Sequence, residues 1–90
     1  MVEYPTESQI IDLNKRIIET VIDKKADRHK LLKRGSITIA LNKAKRKEGD
    51  IYDKSAVLLS DLIRNHAFDS GNRRTAYATI KVFLMPMVFL

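Results

Sequence analysis

Apolar residues recur at three- and four-residue intervals in four stretches of this chain. Ile10, Leu13, Ile17 and Val21 mark the first, and Ile11, Ile18 and Ile22 widen its stripe. Thr6 followed by Gln9 fits a capping box, so the pattern predicts a helix from about Glu7 to Lys24. "KKADRHKLLKRG" follows. It is basic, with only Leu31 and Leu32 clearly apolar, and reads as a connector with one short helical turn, closed by Gly35. "SITIALNKAKRK" fits two patterns. Ile37, Ile39 and Leu41 alternate as in a strand, whereas Ile37, Ala40, Leu41 and Ala44 fit a helix with Ser36 as N-cap. The run continues past strand length, which decides for helix.

"KRKEGDIYDK" is polar and contains Gly49, so a loop or a short flap hairpin is expected there, with Asp53 capping the next helix. "SAVLLSDLIRNHAF" carries Val57, Leu58, Leu62 and Ile63 on a broad apolar face, the pattern of a central helix. Gly71 interrupts it. "RRTAYATIKVFLMP" resumes helical spacing with Ala76, Ile80, Phe83 and Leu84, and Pro86 is expected to end or kink it. The sum is an all-α bundle, a single domain over residues 1–90, built around a helix–loop–helix with a first helix in support.

Composition adds limits. The absence of cysteine excludes disulfides, thiolate metal sites and a cysteine nucleophile. With no secretory signal in the sequence, this fits a reducing, cytoplasmic setting. "VFLMPMVFL" is far shorter than the roughly 20 residues a spanning helix needs, so no membrane role is expected. A net charge of +6 favours an acidic partner, or serves solubility alone. The basic residues cluster in loops rather than on an exposed helix that could reach bases, which argues against nucleic acid as the partner. By themselves, "KAKRK" reads as a solvated face, His29 as a solvated loop residue, and Tyr52 and Tyr77 as packing residues.

The chemistry concentrates in "HAFDSGNRRTAY", residues 66–77. One helix ends here and another begins. The first turn of a new helix offers free N–H groups and a partial positive charge, a ready anion site. Gly71 lets backbone approach a ligand, Arg73 and Arg74 supply planar donors for phosphate oxygens, and Asn72 can donate and accept. His66 carries the side chain in this stretch best suited to take a proton from a hydroxyl near neutral pH. Phe68 is the apolar peg. Taken singly, the histidine is a capping residue and the arginines sit against the helix dipole; together, a base beside a phosphate cradle suggests phosphoryl or nucleotidyl transfer to a protein hydroxyl.

The same residues resemble the signature of the Fic/Doc (Fido) family, H-x-F-x-D/E-G-N-K/G-R, with His66, Phe68, Gly71, Asn72 and Arg74 in register. "YPTESQIIDLNKRII" and "SITIALNKAK" resemble the Doc, or death-on-curing, branch. The resemblance implies an all-α fold that takes ATP or a similar nucleotide with Mg2+, and moves AMP or phosphate to a hydroxyl of a target protein. It implies His66 as general base, Gly71 and Asn72 as the anion-holding loop, Arg74 on phosphate, Arg73 as a retained positive charge, and Phe68 as structural. It places the target-binding flap near "KRKEGDIY". Two departures stand out. Ser70 occupies the position of the family's metal-binding carboxylate, with Asp69 one residue earlier, so metal binding is expected to be weak. The chain also ends where the family continues with more helix. No S/T-x-x-x-E-G/N inhibitory helix is present, which implies an antitoxin-like partner. Val82, Phe83, Met85, Met87, Val88, Phe89 and Leu90 are more apolar surface than one narrow core can hide, so a homodimer or that partner is expected to cover the C-terminal segment.

Overall fold

The computed structural model describes residues 2–20 and 29–88. They form four helices: α1 (Glu7–Thr20), α2 (Arg34–Arg46), α3 (Ile51–Asn65) and α4 (Asn72–Val88). The expected end of the first helix, Val21 to Lys24, lies outside the described residues. α3 packs against both α2 and α4, and α1 closes the bundle across α4 and α2. The core draws Ile10 from α1, Ile37 and Leu41 from α2, Leu58 and Leu62 from α3, and Phe83 from α4. Among the described residues, no helix is long and apolar enough to cross a membrane.

The capping box at α1 forms as its residues dictate: Gln9 N–H donates to Thr6 Oγ1 at 3.1 Å and Thr6 N–H to Gln9 Oε1 at 2.8 Å. α2 differs from expectation. It begins at Arg34, so Gly35 and Ser36 lie inside its first turn, and no side chain caps it. A negative charge stands in. The Glu7 carboxylate accepts from Arg34 Nε at 3.2 Å and from the Thr38 hydroxyl, an anion beside the positive end of the helix. The hydrogen bond from Thr38, and then Arg34, hold the Glu7 carboxyl below its ordinary range. A carboxyl lowered in the folded state contributes stability that is present above the unfolded pKa of roughly 4 and is lost as pH falls through the folded value. Wild type and Glu7→Gln should therefore differ in urea midpoint near neutral pH, and the gap should close as pH falls through the folded value. A gap that persists in acid would mean that Glu7 acts through something other than its charge.

Lys54 of α3 finishes α2. Its ammonium donates to the carbonyls of Lys47 at 2.7 Å and Lys45 at 3.2 Å, supplying donors that the last turn of a helix lacks. The connection between the two helices is residues 47–50, a short loop and not a hairpin. The cap of α3 is Asp50 rather than Asp53. Asp50 Oδ1 accepts from the N–H groups of Tyr52 and Asp53 at 3.0 Å each, and Asp53 Oδ2 accepts from Asp50 N–H at 2.9 Å. These bonds, the Asp53 N–H first, hold the Asp50 carboxyl below its usual range. Gly49 sits at φ +128°, and a Cβ there would run into the Asp53 carboxylate, so the box requires glycine before it.

α4 continues to Val88, through Pro86, instead of ending there. Leu58 and Leu62 are buried as expected, while Val57 and Ile63 are half-buried. Tyr52 and Tyr77 are exposed rather than packed. Phe83 is buried against Tyr4, with ring centroids 5.3 Å apart, and Met85 is half exposed. The side chains of Met87 to Leu90, on which the expectation of a C-terminal interface also rests, lie outside the described residues.

Candidate functional site

The site is the six-residue connection between α3 and α4 together with the first turn of α4. α3 ends at Asn65, and His66 behind it takes the left-handed conformation, φ 47° and ψ 62°. Glycine or asparagine usually fills such a position; for other residues it costs roughly 1–2 kcal/mol. The turn sends the chain inward, and Ala67 and Phe68 are buried. Ala67 O accepts from Leu32 N–H at 2.7 Å and Lys33 N–H at 3.0 Å, while Asp69 N–H donates to Lys30 O at 2.9 Å. Leu31 and Phe68 form an antiparallel bridge. The described part of the connector is thus an extended segment zipped to the loop, not a helical turn.

Asn72 ties the loop into a ring. Phe68 N–H donates to its Oδ1 at 3.0 Å and its Nδ2 donates to Phe68 O at 2.9 Å. Its side-chain oxygen and one amide hydrogen are therefore committed to loop structure, which leaves the second amide hydrogen and the backbone N–H for a ligand. Gly71 has φ +76°, in the left-handed region. The first bond of α4 is donated by Thr75 N–H to Gly71 O at 2.9 Å. The N–H groups of Asn72, Arg73 and Arg74 precede it and have no carbonyl of their own helix to bond.

His66, Asp69, Ser70, Gly71, Arg73 and Arg74 line one open cleft of about 440 Å³, shared with Asn72. His66, Asp69, Arg73 and Arg74 are exposed, and Phe68 lies beneath in the core. The imidazole of His66 bonds to no side chain among the described residues. A nucleophile's proton, a phosphate and two guanidinium groups can thus meet in one place.

Donors for a metal are few. Among the described residues, no three His, Asp or Glu side chains converge. Asp69 brings one carboxylate to the cleft, and Ser70 Oγ beside it is buried without a hydrogen-bond partner. Mg2+ keeps several waters and commonly takes one or two carboxylates plus substrate phosphates. The donor set fits an ion that shares its ligands with a nucleotide, not one held by protein alone.

The residues that sequence patterns missed lie behind the loop. Asn14 of α1 is fully buried, and so are Thr75 and Thr79 of α4. Asn14 Nδ2 donates to Ser70 O at 2.9 Å and to Thr75 Oγ1 at 3.0 Å. His29 Nδ1 lies 2.8 Å from Asn14 Oδ1, and its ring is 6.2 Å from that of Phe68, so His29 belongs to this network instead of to solvent. The signal was available: Asn14 stands between Ile10 and Ile18 at i, i+4 and i+8, a polar residue on the buried stripe.

The sequence model of the Fic/DOC family matches residues 4–84. The chain belongs to the Fic/DOC family. A 34-residue segment, 38% of the chain, is 53% identical to the protein named Toxin Doc of Mycolicibacterium smegmatis and covers 26% of that protein's length. No solved structure matches the chain. The family match spans the described bundle, from Tyr4 to Leu84, and includes the whole of the cleft and the network behind it.

Proposed function

We propose that this Fic/DOC chain is a toxin-type transferase that moves phosphate or AMP from ATP or a similar nucleotide to a hydroxyl of a target protein. The observation that carries the reading is the meeting of His66, the free N–H groups of 72–74 and the Arg73 and Arg74 side chains in one cleft. His66 takes the proton of the target hydroxyl as its oxygen attacks phosphorus and the phosphoanhydride bond breaks, releasing ADP where phosphate is moved and pyrophosphate where AMP is moved. The N–H groups and Arg74 hold the phosphate oxygens and the charge that builds on them, and Arg73 adds a second cation at the rim. Phe68 and the Asn72 side chain keep the loop in shape. Asp69, with Ser70 beside it, would hold the magnesium that neutralises nucleotide phosphates. The likeness to Toxin Doc favours an antitoxin partner, and a second copy of the chain is the simplest alternative cover for the C-terminal segment.

The test is incubation with ATP labelled at the α or the γ position and a cell lysate. Label on protein from the γ position means phosphate transfer, and from the α position AMP transfer. In either case it should vanish with His66→Ala. No label from either form would leave the second reading, a Fic/DOC domain that binds its partner without catalysis, which the serine at position 70 favours.

Two further outcomes follow from the cleft. Arg74→Ala should weaken nucleotide binding by about tenfold or more, the loss of a charge-assisted contact, and unchanged affinity in calorimetry would count against the cradle. Ser70→Asp should tighten Mg2+ binding in the presence of nucleotide by about tenfold, since a hard dication prefers carboxylate to hydroxyl. Equal binding before and after the change would mean that Asp69 and the phosphates already suffice.

A further inference from the structure

We propose that Asn14 is the positioning residue of the anion loop: by holding the Ser70 carbonyl on the α1 side, it turns the Gly71 N–H into the cleft. This inference rests on the reading of the cleft as a phosphate cradle. Ser70 O can only accept, so the atom of Asn14 facing it at 2.9 Å is the amide nitrogen. That leaves Oδ1 as the acceptor for His29 Nδ1–H at 2.8 Å. The second amide hydrogen goes to Thr75 Oγ1 at 3.0 Å. Both donors and the oxygen of a fully buried amide are thus engaged by three separate segments, and its orientation is fixed by chemistry.

The consequence runs through one peptide bond. Ser70 C=O and Gly71 N–H belong to the same planar trans unit, so they point in opposite directions. With the carbonyl drawn toward α1, the N–H faces away from α1, on the side where Gly71 lines the cleft. Glycine, at φ +76°, gives this peptide little preference of its own between the two faces. Turned over, the same unit would present a carbonyl oxygen to an incoming anion and repel it. Asn14, which does not line the cleft, makes the choice.

The experiment uses the isotope-labelled full chain and inorganic phosphate, followed by NMR. Asn14→Leu keeps the size and removes the donors; Asn14→Asp keeps the shape and replaces the donors with acceptors. Both should weaken phosphate binding by roughly tenfold or more, the loss of one charge-assisted hydrogen bond. Both should also abolish the phosphate-induced shift of the Gly71 amide and alter its dipolar coupling without ligand. Thr75→Val removes the other acceptor of Asn14 but leaves the Ser70 bond, so it should keep wild-type affinity despite lost stability. Wild-type coupling at Gly71 in either Asn14 variant overturns the proposal. So does a loss of affinity in Thr75→Val equal to that in Asn14→Leu, which would make the network merely structural. If wild type shows no response to phosphate while the Gly71 coupling still changes in the Asn14 variants, the orientation stands and the phosphate cradle falls.

Discussion

His66→Ala should lower transfer by a factor on the order of 10² or more, the usual contribution of a positioned general base, while nucleotide affinity stays at the wild-type level. The separation follows from geometry. The imidazole is exposed at the cleft rim and bonds to no described side chain, so no loop contact depends on it. In the proposed reading, phosphate affinity comes instead from α4's first turn and its arginines, which line the same cleft several residues further along the chain. Alanine at the same left-handed backbone meets much the same steric cost as histidine, so stability should change little. Single-turnover kinetics beside calorimetry gives both quantities. Turnover equal to wild type would remove His66 from the chemistry, and a parallel loss of affinity would make it a binding residue instead.

Phe68→Ala should have the largest effect on stability. Its side chain is 3% exposed and sits where the loop, the connector through Leu31 and the bundle core meet. Truncating a buried phenylalanine costs about 3–5 kcal/mol, a large share of the roughly 5–15 kcal/mol that holds a domain folded. The damage would not stay in the core. Phe68's backbone carries both bonds of the Asn72 ring, and its neighbours carry the pairing to residues 30–33. Urea unfolding measures the loss, and a change below about 1 kcal/mol would show that the loop holds its shape without this anchor. Phe68→Leu, which retains most of the volume, should fall well short of the alanine effect.

Those two residues also show where sequence reading reaches and where it stops. The helices follow from apolar spacing because burial on one face repeats every three to four residues, and this places α1 and α4 at nearly the observed starts. The cleft residues are legible for a similar reason: histidine, glycine and paired arginines are packed into one short stretch. Caps are harder. Asp50 rather than Asp53 begins α3, because the loop geometry at Gly49, not residue type, selects between two aspartates three apart. The first turn of α2 bonds Glu7, 27 residues upstream of Arg34, a partner no local window contains. At Pro86, expected to end or kink the helix, α4 does not end but continues to Val88. Asn72 looked like a ligand donor because its chemistry allows it, and only the fold reveals that Phe68 already engages its oxygen and one of its two amide hydrogens.

The left-handed turn at His66 has a bearing on anyone who would engineer this chain. Glycine or asparagine would relax that backbone, so a library screened for heat resistance alone should enrich both at position 66 and discard the imidazole. A library screened for transfer should keep histidine and carry its conformational burden. The two screens would pull one codon in opposite directions, and their disagreement at position 66 would itself mark the imidazole as the group on which transfer depends.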